Sequence, residues 1–311
     1  MKAVRRDDGQ AVVIVVLFLA VLLGMAAAVL DVGSWFRADR RLQATVDAAA
    51  LAGAHALPES PGDATALALE YANKNGGGLT ASNVSYSMTV LPNDTITVDA
   101  ETPAPGFFSK VFGIASVQVH ARAKARAGTV SEAKWVAPIV VDILHPMLKC
   151  KPTPCFETET ELNLVNLNKP GSGDAAGAFG LINLKLGDKG SVGAEELGSW
   201  MSRGFDQNMP LGIYNSVPST MFNSSHFREA MDLRLGDEVL FPIYKSLKKS
   251  GSTAEYEIVG WVGFVVTSYT GGGSSGKLKG YFTRVIWEGI ISESPSDVAT
   301  DFGVRAIALI E

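Results

Sequence analysis

Basic charge is in short supply. The 311-residue chain carries a net charge of −5 with 19% charged residues, so it has no positive field for nucleic acid. Histidine is sparse as well. The four histidines, His55, His120, His145 and His226, are far apart and share no metal-ligand spacing. No Gly-x-Ser-x-Gly elbow is present, and there is no internal repeat. Cysteine is nearly missing: the only two are Cys150 and Cys155, in Cys-Lys-Pro-Thr-Pro-Cys. A disulfide there fits an oxidising compartment, whereas free thiols would fit a reducing one. A metal site built from this pair and His145 lacks a fourth ligand.

Two partial motifs are weak. Gly271–Lys277 matches a phosphate-binding loop until Leu278 replaces the required Ser or Thr. It also lies between two expected strands, which makes it a hairpin loop. Glu157, Glu159 and Glu161 alternate, so a strand would align all three on one face and form a weak cation site or a solvated edge. The sequence therefore assigns no catalytic, cofactor-binding or metal residues, and a non-enzymatic protein is expected.

What is present is one long apolar run. Ala11–Leu30 is twenty residues without a charge, and thirteen of them are Val, Ile, Leu or Phe. At about 1.5 Å per residue it spans roughly 30 Å, the hydrocarbon thickness of a bilayer. Insertion is favoured by about 4–8 kcal/mol. In lipid a lone strand leaves its backbone unsatisfied, so the run is read as a helix despite its valines. The rival reading is a cleaved signal peptide, with Lys2, Arg5 and Arg6 ahead of it and Ala26–Ala28 as the cleavage region. The run exceeds the usual length of about 7–15 residues and continues past those alanines, which favours retention. Basic residues at the two ends tie. A short N-terminal tail and the cysteine pair place the N-terminus in the cytoplasm and the rest outside.

The helix is expected to continue to Leu57, with Pro58 ending it. Leu42, Val46, Ala49, Ala50, Gly53, Ala54 and Leu57 form a stripe of mostly small side chains. Packing on the chain's own next domain is favoured over packing on a partner helix. A second helix capped by Asp63, with Leu67, Leu69, Tyr71 and Ala72 as its apolar content, should stop at Asn75–Gly78. A hairpin of Val84–Leu91 and Thr95–Thr102 follows, then a helix at Ala104–Ile114, then a half-buried strand Val117–Arg126 with a basic outer face. Beyond Trp135 the expectations are a strand at Ala137–Leu144, an irregular stretch to Gly190, and helices at Ala194–Arg203 and Ser225–Leu235. Strands should follow at Glu238–Tyr244, Tyr256–Tyr269, Leu278–Gly289 and Phe302–Ile310. Their aromatics suggest an antiparallel sheet or partial barrel.

The fold class is thus α+β. A transmembrane helix with an extracytoplasmic extension occupies 1–57, a small pilin-like α+β domain packed on it 58–128, and a β-rich antiparallel extracytoplasmic domain 135–311.

The first sixty residues resemble the Flp (tight-adherence) pilus-assembly TadE/TadG-like family. The pattern is Arg5-Arg6 and Gly9-Gln10, the apolar helix, Asp31-Val-Gly33, Arg41-Leu42-Gln43, and Asp47-Ala48-Ala49-Ala50-Leu51. The resemblance implies a bitopic envelope component of the pilus machinery. Its partners would be the lipid bilayer and pilin-like or other pilus-assembly membrane proteins met through the extended helix. Asp31 is expected to stay hydrated where the hydrocarbon ends. Two departures stand out. Ile14 occupies the position where prepilin-like relatives carry glutamate. Val141–Pro146 lacks the serines of a metal-dependent adhesion site. The alternatives are a surface-anchored adhesin or ligand-binding module, and an envelope enzyme.

Overall fold

The computed structural model describes residues 8–151, 154–165, 178–188, 190–248, 254–272, 275–292 and 301–311. The chain divides into two compact units. The first comprises 1–126 with 308–311, the second 127–307.

The first unit is organised by α1 (Asp8–Ala54). Its regular helix ends three residues earlier than expected. The N–H groups of His55, Ala56 and Leu57 bond carbonyls three residues back, tightening the chain as it approaches Pro58, which disfavours helical geometry before it. The second helix, α2 (Pro61–Lys74), is capped by Ser60, with Asp63 in the first turn. Its buried face is Ala64, Ala68 and Ala72, while Leu67 and Leu69 are half-buried and Tyr71 is exposed. The buried face is alanine because α1 and α2 approach too closely for larger side chains. At Gly53 an added Cβ would lie 2.9 Å from the Ala64 carbonyl oxygen and 2.5 Å from the end of Ile96.

Three antiparallel strands lie beside these helices: β1 (Val84–Ser87), β2 (Thr95–Pro105) and β3 (Ser116–Ala133). β1 is shorter than its sequence suggests. The Asp94 carboxylate accepts the N–H groups of Thr89, Val90 and Leu91, so these leave the ladder. Ile96, Val98 and Ala100 on β2, with Val119, Ala121 and Ala123 on β3, face the buried side. Arg126 departs from the exposed basic face expected of this strand. It is buried with its Nε 3.5 Å from Asp94. At the chain's end, Ile310 donates to the Lys124 carbonyl and Lys124 to that of Glu311.

The segment 104–114 is not a helix. β2 runs through Pro105, and only Ser109–Phe112 makes a short 3-10 turn before Gly113, which adopts φ +85°. Pro105, still within β2, and Gly106 prevent a longer helix.

The second unit holds β4 (Ile139–Asp142), β5 (Glu159–Leu164), β6 (Ala178–Ile182), α3 (Ala194–Arg203), β7 (Met209–Pro210), β8 (Gly212–Val217) and α4 (Ser225–Leu233). Then follow β9 (Glu238–Lys248), β10 (Glu255–Gly272), β11 (Ser275–Thr283), β12 (Val285–Ile286), β13 (Gly289–Ile291) and β14 (Val304–Leu309). Hydrogen bonding runs β11-β5-β6-β4-β9-β10 and returns to β11, so this path closes on itself. It is mixed, not purely antiparallel: β5 with β6 and β4 with β9 are parallel. The stretch expected to be irregular supplies β5 and β6, two of the strands that close it. Part of that stretch, 166–177, lies outside the described residues.

Aromatic rings fill the interior. Phe241 stacks on Phe264 with centroids 5.3 Å apart, Phe282 meets Phe264 edge-on, and Tyr244 meets Tyr256. Gly180 leaves room for the Tyr256 ring against the backbone.

Candidate functional site

Two stretches of α1 behave differently. From Val12 to Leu30 every large apolar side chain is exposed in the folded protein. The helix containing this run is long and apolar enough to cross a membrane. A helix that is apolar all round is ordinarily buried, in a protein core or in a membrane. From Leu42 onward, one face is buried by the first unit itself.

The change begins at Asp31, which directly follows the run. Its carboxylate is 2% exposed and accepts three backbone N–H groups: Phe107 at 2.9 Å, Phe108 at 3.0 Å and Ser109 at 2.5 Å. This corrects the expectation of a hydrated charge. The loop's orphan donors replace water, as a capping carboxylate does at a helix start. Ser109 then closes the loop through its hydroxyl to the Ile114 carbonyl at 3.0 Å. The loop it holds exposes Phe107, Phe108, Val111, Phe112 and Ile114.

The other motif residues point back into the fold. Gln43 donates to Asp47 at 2.7 Å and to the Arg122 carbonyl of β3 at 3.0 Å. Leu42, Ala49 and Ala50 are buried, while Ala48 and Leu51 are half-buried. Thr45, which no sequence reading singled out, bonds the Asn75 carbonyl at the end of α2 at 2.8 Å. Gly33 faces open space. Gly9 and Gln10 lie at the start of α1. Arg5 and Arg6 lie outside the described residues. The small-residue stripe is thus covered by α2 and β2, and a partner helix finds it occupied.

In the second unit Cys150 and Cys155 are bonded, with Cα atoms 5.5 Å apart. They are unavailable to a metal. His145 is buried. Its Nδ1 accepts the Met147 N–H at 3.1 Å and its ring meets Phe282 edge-on. Burial pushes its pKa below the usual value, against a hydrogen bond that the ring donates to the backbone of Glu161. Glu157 adopts φ +58° outside β5, so the three glutamates do not share a strand face. Glu161 pairs with Lys277 at 2.6 Å, and that bond holds its carboxyl below the ordinary range against burial. In the Gly271–Lys277 segment, Gly271 pairs with Gly276 where β10 meets β11, and 273–274 lie outside the described residues. Among the described residues no cluster has the make-up of a metal site. Of the strand aromatics, Phe241, Tyr244, Trp261, Phe264 and Phe282 are interior and Trp287 is half-buried. An open groove of about 630 Å³ between α3 and α4 is lined by Glu196, Ser199, Ser202, Arg203, His226 and Glu229, among others.

These features define a class: an α+β protein carrying one apolar N-terminal helix whose distal half is built into the domain that follows. Residues 9–56 match the family model Tad, Flp pilus-assembly TadE/G-like. That span coincides with α1 and the turn after it. No curated protein and no solved structure matches the chain.

Proposed function

We propose that the protein is a membrane-anchored structural component of Flp (tight-adherence) pilus assembly. α1 crosses the cytoplasmic membrane once, with its N-terminus in the cytoplasm and both folded units on the extracytoplasmic side. The observation that carries this reading is the match of residues 9–56 to the pilus-assembly family. Within that span Asp31, Thr45 and Gln43 all anchor the helix to its own domain. The bonded cysteine pair supports the orientation, since such bonds persist outside the cytosol. With the small-residue stripe covered, contacts with pilin-like partners fall on the exposed apolar face of Val12–Leu30.

A clean deletion tests the role: surface pili should be lost or strongly reduced and should return with the wild-type gene. Normal piliation in the deletion strain overturns it. Topology is read separately by adding protease to spheroplasts, where the folded units should be digested.

A further inference from the structure

The loop 106–114 is unusual for a water-facing surface. Five of its nine residues are large and apolar, and all five are exposed, Val111 at 84% and Phe112 at 80%. Contiguous apolar exposure of this kind marks a surface that meets something apolar. The loop is also held in one shape. Ser109 is bonded at both its N–H and its hydroxyl, and Gly113 supplies the left-handed turn. The apolar side chains are therefore presented together before any partner arrives, which lowers the ordering cost of burying them.

Its depth is fixed as well. Asp31 is the first residue after the apolar run, and its carboxylate holds the 107–109 backbone at 2.5–3.2 Å. The loop lies beside the point where α1 leaves hydrocarbon. Around it, α1 presents exposed Val32 and Phe36, with the Arg40 guanidinium 4.8 Å over the Phe36 ring. Lys110 is exposed on the loop itself. Apolar and aromatic side chains beside cationic ones match the boundary between acyl chains and phosphate headgroups.

We infer that the 106–114 loop is a second membrane contact, inserting Phe107, Val111 and Phe112 into the headgroup–acyl boundary next to α1. This rests on the reading of α1 as a membrane-spanning helix. The occupant is lipid because the patch continues the apolar surface of the run and is tied to its end.

Nitroxide labels on the full chain in phosphatidylglycerol/phosphatidylethanolamine vesicles test this. Among the described residues the native cysteines are bonded, so a new cysteine takes the label alone. Label sites are Val111→Cys and Phe112→Cys, each on a highly exposed side chain. Leu22→Cys marks the run. Met88→Cys marks the far end of the hairpin, roughly 30 Å along β2 from the loop. The ratio of oxygen to nickel-chelate collision rates reports depth. The expected result is a ratio at 111 and 112 several-fold above that at 88 and approaching that at 22. A ratio at 111 and 112 equal to that at 88, with 22 in lipid, overturns the loop contact and leaves the membrane reading intact. An aqueous ratio at 22 overturns both. Shielding of 111 and 112 from both reagents means that a second copy or another protein covers the patch, and overturns the lipid assignment.

Discussion

The Asp31 carboxylate and the Ser109 N–H meet at 2.5 Å across 78 positions of sequence. Phe107 and Phe108 donate to the same carboxylate. Replacing Asp31 with Ala leaves these donors without their acceptor while most of the fold is untouched. Amide exchange at 107–109 should accelerate by about tenfold or more, with exchange on β2 and β3 unchanged. Unchanged protection at 107–109 would show that the carboxylate does not hold the loop.

Gly53 and Gly33 lie on the same helix in opposite circumstances. A methyl at Gly53 meets the Ala64 carbonyl oxygen at 2.9 Å, whereas one at Gly33 meets nothing within 4 Å. Gly53→Ala should destabilise the first unit by about 1–3 kcal/mol, because overpacking outweighs the gain in helix propensity. Gly33→Ala should be neutral or stabilising by up to ~1 kcal/mol. Thermal unfolding in detergent compares the two directly, and equal effects would contradict the close α1–α2 packing.

Asp94 is buried beside Arg126 and ties off the hairpin. Burial pushes its pKa up, but the N–H groups of Leu91, Thr89 and Val90 and the Thr95 hydroxyl outweigh it. The carboxyl is held below its ordinary value of 3.8. A depressed carboxyl stabilises the fold above its unfolded pKa and loses that contribution as pH falls through the folded value. Asp94→Ala should therefore cost about 3 kcal/mol at neutral pH, through the lost ion pair with Arg126 and the unsatisfied N–H groups of the turn. The gap from wild type should narrow below pH ~4. A gap that stays constant from pH 7 to pH 3 would remove Asp94 as its source.

Much of the helical framework was legible because local signals and tertiary needs agree. Ala194–Arg203 has helical periodicity and becomes α3 with the same bounds. Asn75–Gly78 stops α2 as expected, but its cap is Ser60, three residues before the expected Asp63. The failures fall where distant residues decide. Nothing near Phe107 announces that Asp31 will take its N–H, so 104–114 resembled an amphipathic helix. Arg126 alternates like a surface strand residue, and its burial depends on a carboxylate 32 positions earlier. β5 and β6 were hidden in Gly- and Asn-rich sequence, and they pair in parallel through the long-range closure of a ring. Of the candidate site, the motif residues were visible as a pattern, but the exposed loop at 106–114 was not. Its signal is four large apolar residues between Gly106 and Gly113, with Ile114 just after, a stretch too short for a periodicity argument.

Cys150 and Cys155 close a short loop next to His145. Breaking the bond should lower stability by roughly 2 kcal/mol, the entropy of so short a loop. In intact cells a thiol-reactive polymer should shift the protein on a gel only after treatment with a reductant. Labelling without reduction would mean free thiols and would argue against the extracytoplasmic placement.

α1 is a single uninterrupted helix of 47 residues, about 70 Å long, without a proline. Its lower half is exposed and apolar, and its upper half is locked into the first unit at Thr45, Gln43 and Gly53. Such a shaft has no swivel. Any torque applied to the exposed half must turn the first unit by the same angle, and any load on that unit is carried back along the apolar run.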